Sequence, residues 1–178
     1  AKKAGFDSLE ISIDETDDKL ERLNYSEAQF IEIQNAVNKV GLPIQSLCLS
    51  AHRKYPLGAT DANVRKQSLE IMEKALMFAN RLGIRMIQLA GYDVYYEESS
   101  PETRKAFEEN LNKAVQLASK YGVIMGFETM ETEFLNTCTK AMKYVNSINS
   151  PYLGVYPDVG NLTNASRIYN VSIDKDIH

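Results

Sequence analysis

A recurring pattern constrains the fold of this chain more than any other feature. In each copy a basic residue precedes a glycine by two positions, and a short apolar segment follows; the glycines are Gly5, Gly41, Gly83 and Gly122. A glycine just past a helix adopts the left-handed conformation at low cost, and a basic side chain suits the negative end of the helix dipole. The pattern therefore predicts repeated units of helix, glycine and strand, spaced 36, 42 and 39 residues apart.

Repeated units of this kind predict an α/β fold with a parallel sheet whose reactive groups collect at one edge. Nearly continuous apolar runs, such as VIMGF at 123–127, indicate strands covered on both faces. Capping residues and apolar spacing predict the helices. The predicted strands are 6–13, 44–51, 84–90, 123–130 and 152–157, and the predicted helices are about 26–40, 61–82, 101–120 and 135–148, with a helix or loop from 164 to 178.

The chain is too short to form a complete barrel of this architecture. A (β/α)8 TIM barrel needs about 250 residues, whereas this chain has 178 and five predicted strands. We therefore predict an incomplete (β/α)8 TIM barrel, with residues 1–178 as one domain from which the first strand and the last two are missing. A naturally open sheet of five strands is the alternative.

Composition favours an ordinary enzyme domain and disfavours two classes of partner. The net charge is −4, which argues against a general nucleic-acid surface, and no apolar run is long enough to span a membrane. The two cysteines, Cys48 and Cys138, lie in different settings and are expected to be reduced. We expect a cytoplasmic protein that binds neither nucleic acid nor membrane.

Two carboxylates stand at the ends of neighbouring predicted strands. Glu128 follows a buried strand, where a charge is costly without a partner, and Asp158 follows another strand in a Pro-Asp-Val-Gly turn. Such hard oxygen donors suit a divalent metal ion, with Mg, Mn and Zn all open. The structural alternatives are a capping or salt-bridged Glu128 and an Asp158 that caps the next turn. Two carboxylates alone are a weak metal signal, because catalytic sites usually have three or four protein ligands.

Further polar side chains reach the same edge of the predicted sheet. His52 ends the second strand, and Glu10 and Gln88 lie on the first and third, so each is a candidate for binding a substrate or for satisfying nearby backbone groups. The aromatic segment 92–96 fits either a substrate lid or a contact in a homodimer. Dinucleotide, P-loop, serine-hydrolase and CxxC motifs are absent from the sequence. His178 is assigned no role.

Several long motifs resemble a known family. They are GFDSLEISIDETDD (5–18), LCLSAHR (47–53), IQLAGYDVYY (87–96) and YPDVGN (156–161). Together they are similar to the L-ribulose-5-phosphate (L-xylulose-5-phosphate) 3-epimerases of the xylose-isomerase-like barrels. The resemblance implies a divalent metal held by Glu, Asp, His and Glu from four strand ends. Glu128 matches the first ligand and Asp158 the second, and the other two are expected downstream of position 178.

The resemblance also implies a reaction. A ketose phosphate would lose and regain the proton on C3 through an enediolate, with Glu128 as metal ligand and acid/base, and Glu131 binding the sugar. Three alternatives remain open: an aldose–ketose isomerase, a metal-dependent endonuclease and a non-catalytic sugar-binding module. The endonuclease is disfavoured because multi-zinc sites need several histidines and this chain has 2.

Overall fold

Five parallel strands form a single sheet in the computed structural model, which describes residues 1–173 and residue 176. The strands pair in chain order, and the first and last do not pair with each other among the described residues, so the sheet is not closed. The predicted α/β fold with about five parallel strands is confirmed. The strands are β1 (Leu9–Ser12), β2 (Ile44–Leu49), β3 (Met86–Leu89), β4 (Ile124–Glu128) and β5 (Leu153–Tyr156).

Helices connect the strands as the repeated pattern predicts. They are α1 (Asp17–Leu20), α2 (Glu27–Val40), α3 (Ala62–Leu82), α4 (Pro101–Tyr121), α5 (Cys138–Ile148) and α6 (Val159–Tyr169). The second strand is shorter than predicted, because the chain turns into a 3-10 helix at Ser50–Arg53. The predicted helix 135–148 begins only at Cys138, where the side chain of Thr137 caps it. His178 lies outside the described residues.

The predicted glycine caps are present. All four pattern glycines have positive φ, and those at 41, 83 and 122 end α2, α3 and α4. In α5 and α6 the same left-handed position is taken by Asn149 (φ 50°) and Asn170 (φ 53°). Asparagine tolerates this conformation better than other residues with a side chain, so these helices end in the same geometry without glycine.

The two faces of the sheet differ in chemistry. Leu47, Ile87 and Phe127 are fully buried on one face, in a core shared with apolar side chains of the helices. The alternate positions carry polar or small residues such as Gln88 and Gly126, which are register partners on β3 and β4. The prediction that both faces are covered is therefore wrong for the described residues: helices cover one face, and Ile124, on the other, is 39% exposed.

Aromatic packing anchors the strand that carries Glu128. The ring of Phe127 lies 6.1 Å from that of Phe107 on α4, which in turn packs at 5.2 Å against Phe134 in the segment after β4. Such pairs add about 0.5–1.5 kcal/mol each beyond the burial of apolar area. The carboxyl end of β4 is thus held firmly in place. No helix in residues 1–173 and 176 is both long and apolar enough to cross a membrane.

Candidate active site at the carboxyl edge of the sheet

Polar side chains from all five strands share the face opposite the core. Cys48 on β2 is the register partner of Gln88 on β3, and Glu128 ends β4 beside Tyr156. On β1, Glu10 accepts a hydrogen bond of 2.5 Å from the hydroxyl of Ser46. Strand alternation explains this grouping, because every second side chain of a strand points to the same face.

Several of these polar groups act on the carboxylate of Glu128. Its side chain is half-buried, and loss of hydration is the main reason why its pKa lies above the usual range. The negative charges of Asp158 and Glu10 raise the pKa further, whereas Arg53 and a hydrogen bond from Gln88 act in the opposite direction. Glu128 is therefore a carboxylate in a negative environment, which a bound cation would stabilise.

Asp158 is the N-cap of helix α6, and its backbone is hydrogen-bonded to Thr129, the residue that follows Glu128. Its Oδ1 accepts a hydrogen bond of 2.8 Å from the backbone N–H of Asn161, which is a helix N-cap. Its own backbone N–H donates to the hydroxyl of Thr129 at 2.9 Å, and the amide of Asn161 donates to the Thr129 carbonyl at 2.9 Å. The capping role is thus present. A carboxylate has further lone pairs, so capping leaves Asp158 able to bind a cation as well.

The aromatic segment after β3 borders the same site. Tyr92 is 3% exposed and lines a shallow depression together with Cys48, Gln88, Glu128 and Arg53. The guanidinium of Arg53 lies 5.4 Å from the centre of the Tyr95 ring. Its two expected roles, as a lid or as a homodimer contact, stay predictions.

The aromatic segment is also linked to the loop after β1. The exposed Tyr96 donates a hydrogen bond of 2.8 Å to Oε1 of Glu15. The two residues are 81 positions apart in the chain. The loops after the first and third strands therefore meet above the face that carries Glu128.

Arg53 is a site residue that the sequence analysis missed, and Tyr92 was named there only as part of the aromatic segment 92–96. The available signal was weak: Arg53 is a single basic residue just after a strand, and Tyr92 was one of three tyrosines in a short segment. Neither position reveals from sequence alone that both side chains line the depression beside Glu128.

His52 does not line this depression. The chain turns at Ser50–Arg53, and the His52 ring is 2% exposed with Nε2 3.3 Å from the carbonyl oxygen of Ser68 on α3. Burial lowers the pKa of His52 to about 4, so the ring is neutral at physiological pH. Its predicted contact with substrate remains a prediction, and its burial against α3 does not favour it.

Glu131 lies on the loop after β4 and is exposed. Its Oε1 accepts a hydrogen bond of 2.6 Å from the side chain of Asn164 on α6. Glu131 is not among the residues that line the depression beside Glu128. Its role in binding the sugar stays a prediction, whereas Gln88 lines the depression beside Glu128 and the charge of Glu10 acts on Glu128.

The donor set fits a divalent cation as part of a ligand sphere. Glu128 and Asp158 supply hard oxygen ligands, and their mutual repulsion would be relieved by a bound cation. Among residues 1–173 and 176, no group of three or more His, Cys, Asp or Glu side chains is arranged to hold a metal ion. These residues can therefore account for two ligands, fewer than the usual three or four.

Comparison with known proteins identifies the family to which this fold belongs. A sequence model of a family described as xylose isomerase-like TIM barrel matches residues 1–176. L-ribulose-5-phosphate 3-epimerase UlaE of Escherichia coli (strain SMS-3-5 / SECEC) is 49% identical over 163 residues, which is 92% of this chain and 57% of that protein. This chain therefore spans a little over half the length of the curated relatives that it matches.

Two solved structures have the same fold at low sequence identity. D-psicose 3-epimerase of Clostridium cellulolyticum H10, solved with D-tagatose, has a TM-score of 0.79 and 20% identity, covering 98% of this chain and 60% of that one. A xylose isomerase-like TIM barrel protein of Mycobacterium smegmatis, in complex with magnesium, has a TM-score of 0.68 and 15% identity, covering 90% and 54%.

Proposed function

Because the chain belongs to the xylose isomerase-like TIM barrel family, we propose that it carries part of the active site of a sugar-phosphate 3-epimerase. The reaction is the interconversion of L-ribulose 5-phosphate and L-xylulose 5-phosphate, and the 49% identity to an epimerase of that name supports it. The observation that carries the proposal is the raised pKa of Glu128 among converging polar groups at the sheet edge.

Glu128 is the proposed acid/base. Epimerisation at C3 requires that the proton next to the C2 carbonyl be removed and then returned on the opposite face of the carbon. A general base works best when its pKa approaches the working pH, and burial moves the pKa of Glu128 in that direction. The amide of Gln88, on the neighbouring strand, favours the ionised form of Glu128 and so opposes part of this rise in pKa.

Glu128 and Asp158 are also the proposed ligands of a divalent metal ion. A metal bound there would stabilise the negative charge that develops on the substrate oxygens next to C3. The hydrogen bonds that join Asp158 and Asn161 to Thr129 hold this second carboxylate near Glu128. The donor types suit Mg, Mn or Zn.

Glu10, Gln88, Glu131 and His52 complete the proposal as contacts of the sugar. Glu10 and Gln88 are the stronger candidates, because both interact with Glu128 on the same face of the sheet. Their carboxylate and amide groups can bind sugar hydroxyls. Glu131 lies on the loop after β4, where its carboxylate accepts a hydrogen bond from Asn164.

The decisive test follows the proton on C3. The full-length protein is incubated with L-ribulose 5-phosphate in D₂O, and exchange at each carbon is followed by NMR, before and after removal of metal with EDTA. We expect exchange at C3, its loss with EDTA, and its return on adding Mg, Mn or Zn. Exchange at C1 would identify an aldose–ketose isomerase instead, and tight sugar binding without exchange would identify a binding module.

A further inference from the structure

Asp93 is a buried carboxylate that the proposed reaction does not use. It is 1% exposed and follows Tyr92, which lines the depression beside Glu128. Its Oδ2 accepts hydrogen bonds from the hydroxyl of Thr103 at 2.6 Å and from that of Ser99 at 2.8 Å. Within residues 1–173 and 176, no nitrogen of a lysine, arginine or histidine side chain lies within 4.0 Å of this carboxylate. Because a buried charge is costly without partners, the two hydroxyl groups are important for its position.

The hydroxyl donors join Asp93 to the start of helix α4. Thr103 lies in the first turn of the helix, and its hydroxyl also accepts a hydrogen bond of 2.8 Å from the backbone N–H of Ser100 in the capping box. The positive end of the helix dipole lies here, which favours a carboxylate. Further along α4, Phe107 packs against Phe127 on β4, with 6.1 Å between the ring centres. Asp93 is thus bonded to a helix that is itself fixed on the sheet.

The backbone of Asp93 also contacts the loop after β2. Its carbonyl oxygen accepts a hydrogen bond of 3.1 Å from the N–H of Gly58. A Cβ atom on Gly58 would lie 2.7 Å from that oxygen and 2.6 Å from the carbonyl oxygen of Thr103, so the packing leaves no room for a side chain. Three segments therefore meet at Asp93, namely the loops after β2 and β3 and the start of α4.

The segment that Asp93 anchors reaches the backbone of Glu128. Two residues before Asp93, Gly91 lies so close to the carbonyl oxygen of Glu128 that a Cβ atom could not fit between them. Tyr92, between Gly91 and Asp93 in the chain, is 3% exposed and borders the depression together with Glu128. Residues 91–93 thus form a short connection from α4 to the candidate acid/base.

We propose that Asp93 is a positioning residue, which holds residues 91–93 on α4 and thereby fixes the place of Glu128. This assignment rests on the proposed function, in which Glu128 removes the proton from C3. A misplacement of about 1 Å can lower the rate of such a step about 100-fold. Asp93 contacts neither the sugar nor the metal in this assignment, because it acts through Gly91 and Tyr92. Its effect therefore falls mainly on kcat and much less on KM.

The test separates positioning from stability in the full-length protein with its metal. Asp93→Ala should lower kcat for C3 epimerisation of L-ribulose 5-phosphate roughly 10- to 100-fold, with a smaller change in KM. Asp93→Asn should recover most of this loss, because its amide oxygen can still accept from both hydroxyl groups. Thr103→Val should lower kcat in the same way, whereas Thr103→Ser keeps the hydroxyl and should not. All rates are measured well below the Tm of each variant.

Ser100→Ala is the matched control for the Thr103 variants. It removes the oxygen that accepts from the Thr103 backbone N–H at 3.2 Å, and it leaves the hydrogen bond between Thr103 and Asp93 in place. Its Tm should fall by roughly 2–4 °C, as expected for a weakened helix cap. Its kcat should equal that of the wild type. A kcat loss in Thr103→Val that this control lacks is then due to the bond with Asp93.

Two outcomes would overturn the assignment. A lower Tm with wild-type kcat in Asp93→Ala would give Asp93 a structural role only. Equal kcat losses in Ser100→Ala and Thr103→Val would assign the effect to the helix cap. If Asp93→Ala does not fold, the comparison of Thr103→Val with Thr103→Ser decides in its place, and equal kcat in these two variants would reject the proposal.

Failure of the proposed function is recognised separately, by a wild type that does not exchange the C3 proton. Amide hydrogen exchange of residues 91–100 in the wild type and in Thr103→Val then tests the anchoring itself. We expect faster exchange in the variant, because the segment loses its bond to α4. Equal protection in the two proteins would reject the anchoring by Asp93.

Discussion

Gly91 and Glu128 are in direct backbone contact across the carboxyl edge of the sheet. A Cβ atom built on Gly91 would overlap the carbonyl oxygen of Glu128, far inside the approach that real Cβ atoms show. The clash is with backbone, so no side-chain movement can relieve it. Gly91, two residues beyond the end of β3, thus fixes how the candidate acid/base is placed, and it does so because it lacks a side chain.

Gly91→Ala should therefore damage both stability and activity. Forcing a methyl group against packed backbone costs about 1–3 kcal/mol, and the displaced carbonyl belongs to Glu128 itself. Denaturant unfolding and the C3 exchange rate would measure the two losses. Gly154→Ala is the control, because its added Cβ meets nothing within 4 Å. Equal stability of the two variants would contradict this account of the contact.

Glu128→Gln should abolish turnover and leave the fold intact. Loss of a general acid/base lowers kcat by about 100-fold or more. Burial and neighbouring charges raise the folded-state pKa, so ionised Glu128 costs stability above that pKa, and the cost fades as pH falls toward 4.5. In metal-free protein at pH 8, the variant should therefore be at least as stable as the wild type.

Glu131→Gln is the comparison variant for Glu128→Gln, and kinetics and thermal unfolding are measured for both. Glu131 is exposed and follows three residues later, so its substitution removes a comparable charge outside the depression. We expect the Glu131 variant to keep most of its kcat and to show a raised KM, since Glu131 is proposed to bind the sugar and not to move the proton. Wild-type kcat in the Glu128 variant would rule out the acid/base role.

Two substitutions of Asp158 separate capping from metal binding. Asp158→Asn keeps an oxygen that can accept from the Asn161 backbone N–H, so α6 should remain capped while the ligand charge is lost. Asp158→Ala loses both and should cost about 1 kcal/mol more in unfolding free energy. Metal content by elemental analysis and urea unfolding report the two effects. Full metal content in Asp158→Asn would remove Asp158 from the ligand set.

His52 should make stability depend on pH below neutrality. Its pKa is lowered from 6.5 to about 4 by burial, so the unfolded chain binds more protons between these values. Stability is therefore complete above pH 6.5 and falls as pH drops, by about 2 kcal/mol at pH 5. Urea unfolding of wild type and His52→Gln at pH 7 and pH 5 measures this difference. The same pH dependence in both proteins would contradict a neutral, buried His52.

Local patterns in the sequence predict most of the fold. The helices that end at Gly41, Gly83 and Gly122 do so because glycine adopts the left-handed backbone conformation there without steric strain. Strand alternation and chain order then predict a parallel sheet with Glu128 at its carboxyl edge, next to the strand that leads to Asp158. These features depend on neighbours within a few residues, so the sequence alone carries them.

Tertiary structure decided which side chains meet at the site. His52 and Arg53 are adjacent in sequence, yet the 3-10 turn buries one against Ser68 on α3 and leaves the other beside Tyr95. Periodicity cannot assign these directions, because the strand pattern ends at Leu49. Likewise, the Gly91–Glu128 contact joins residues on neighbouring β-α segments and exists only once β3 and β4 pair. Sequence thus determined the strands and their order, and packing between them determined the chemistry at their ends.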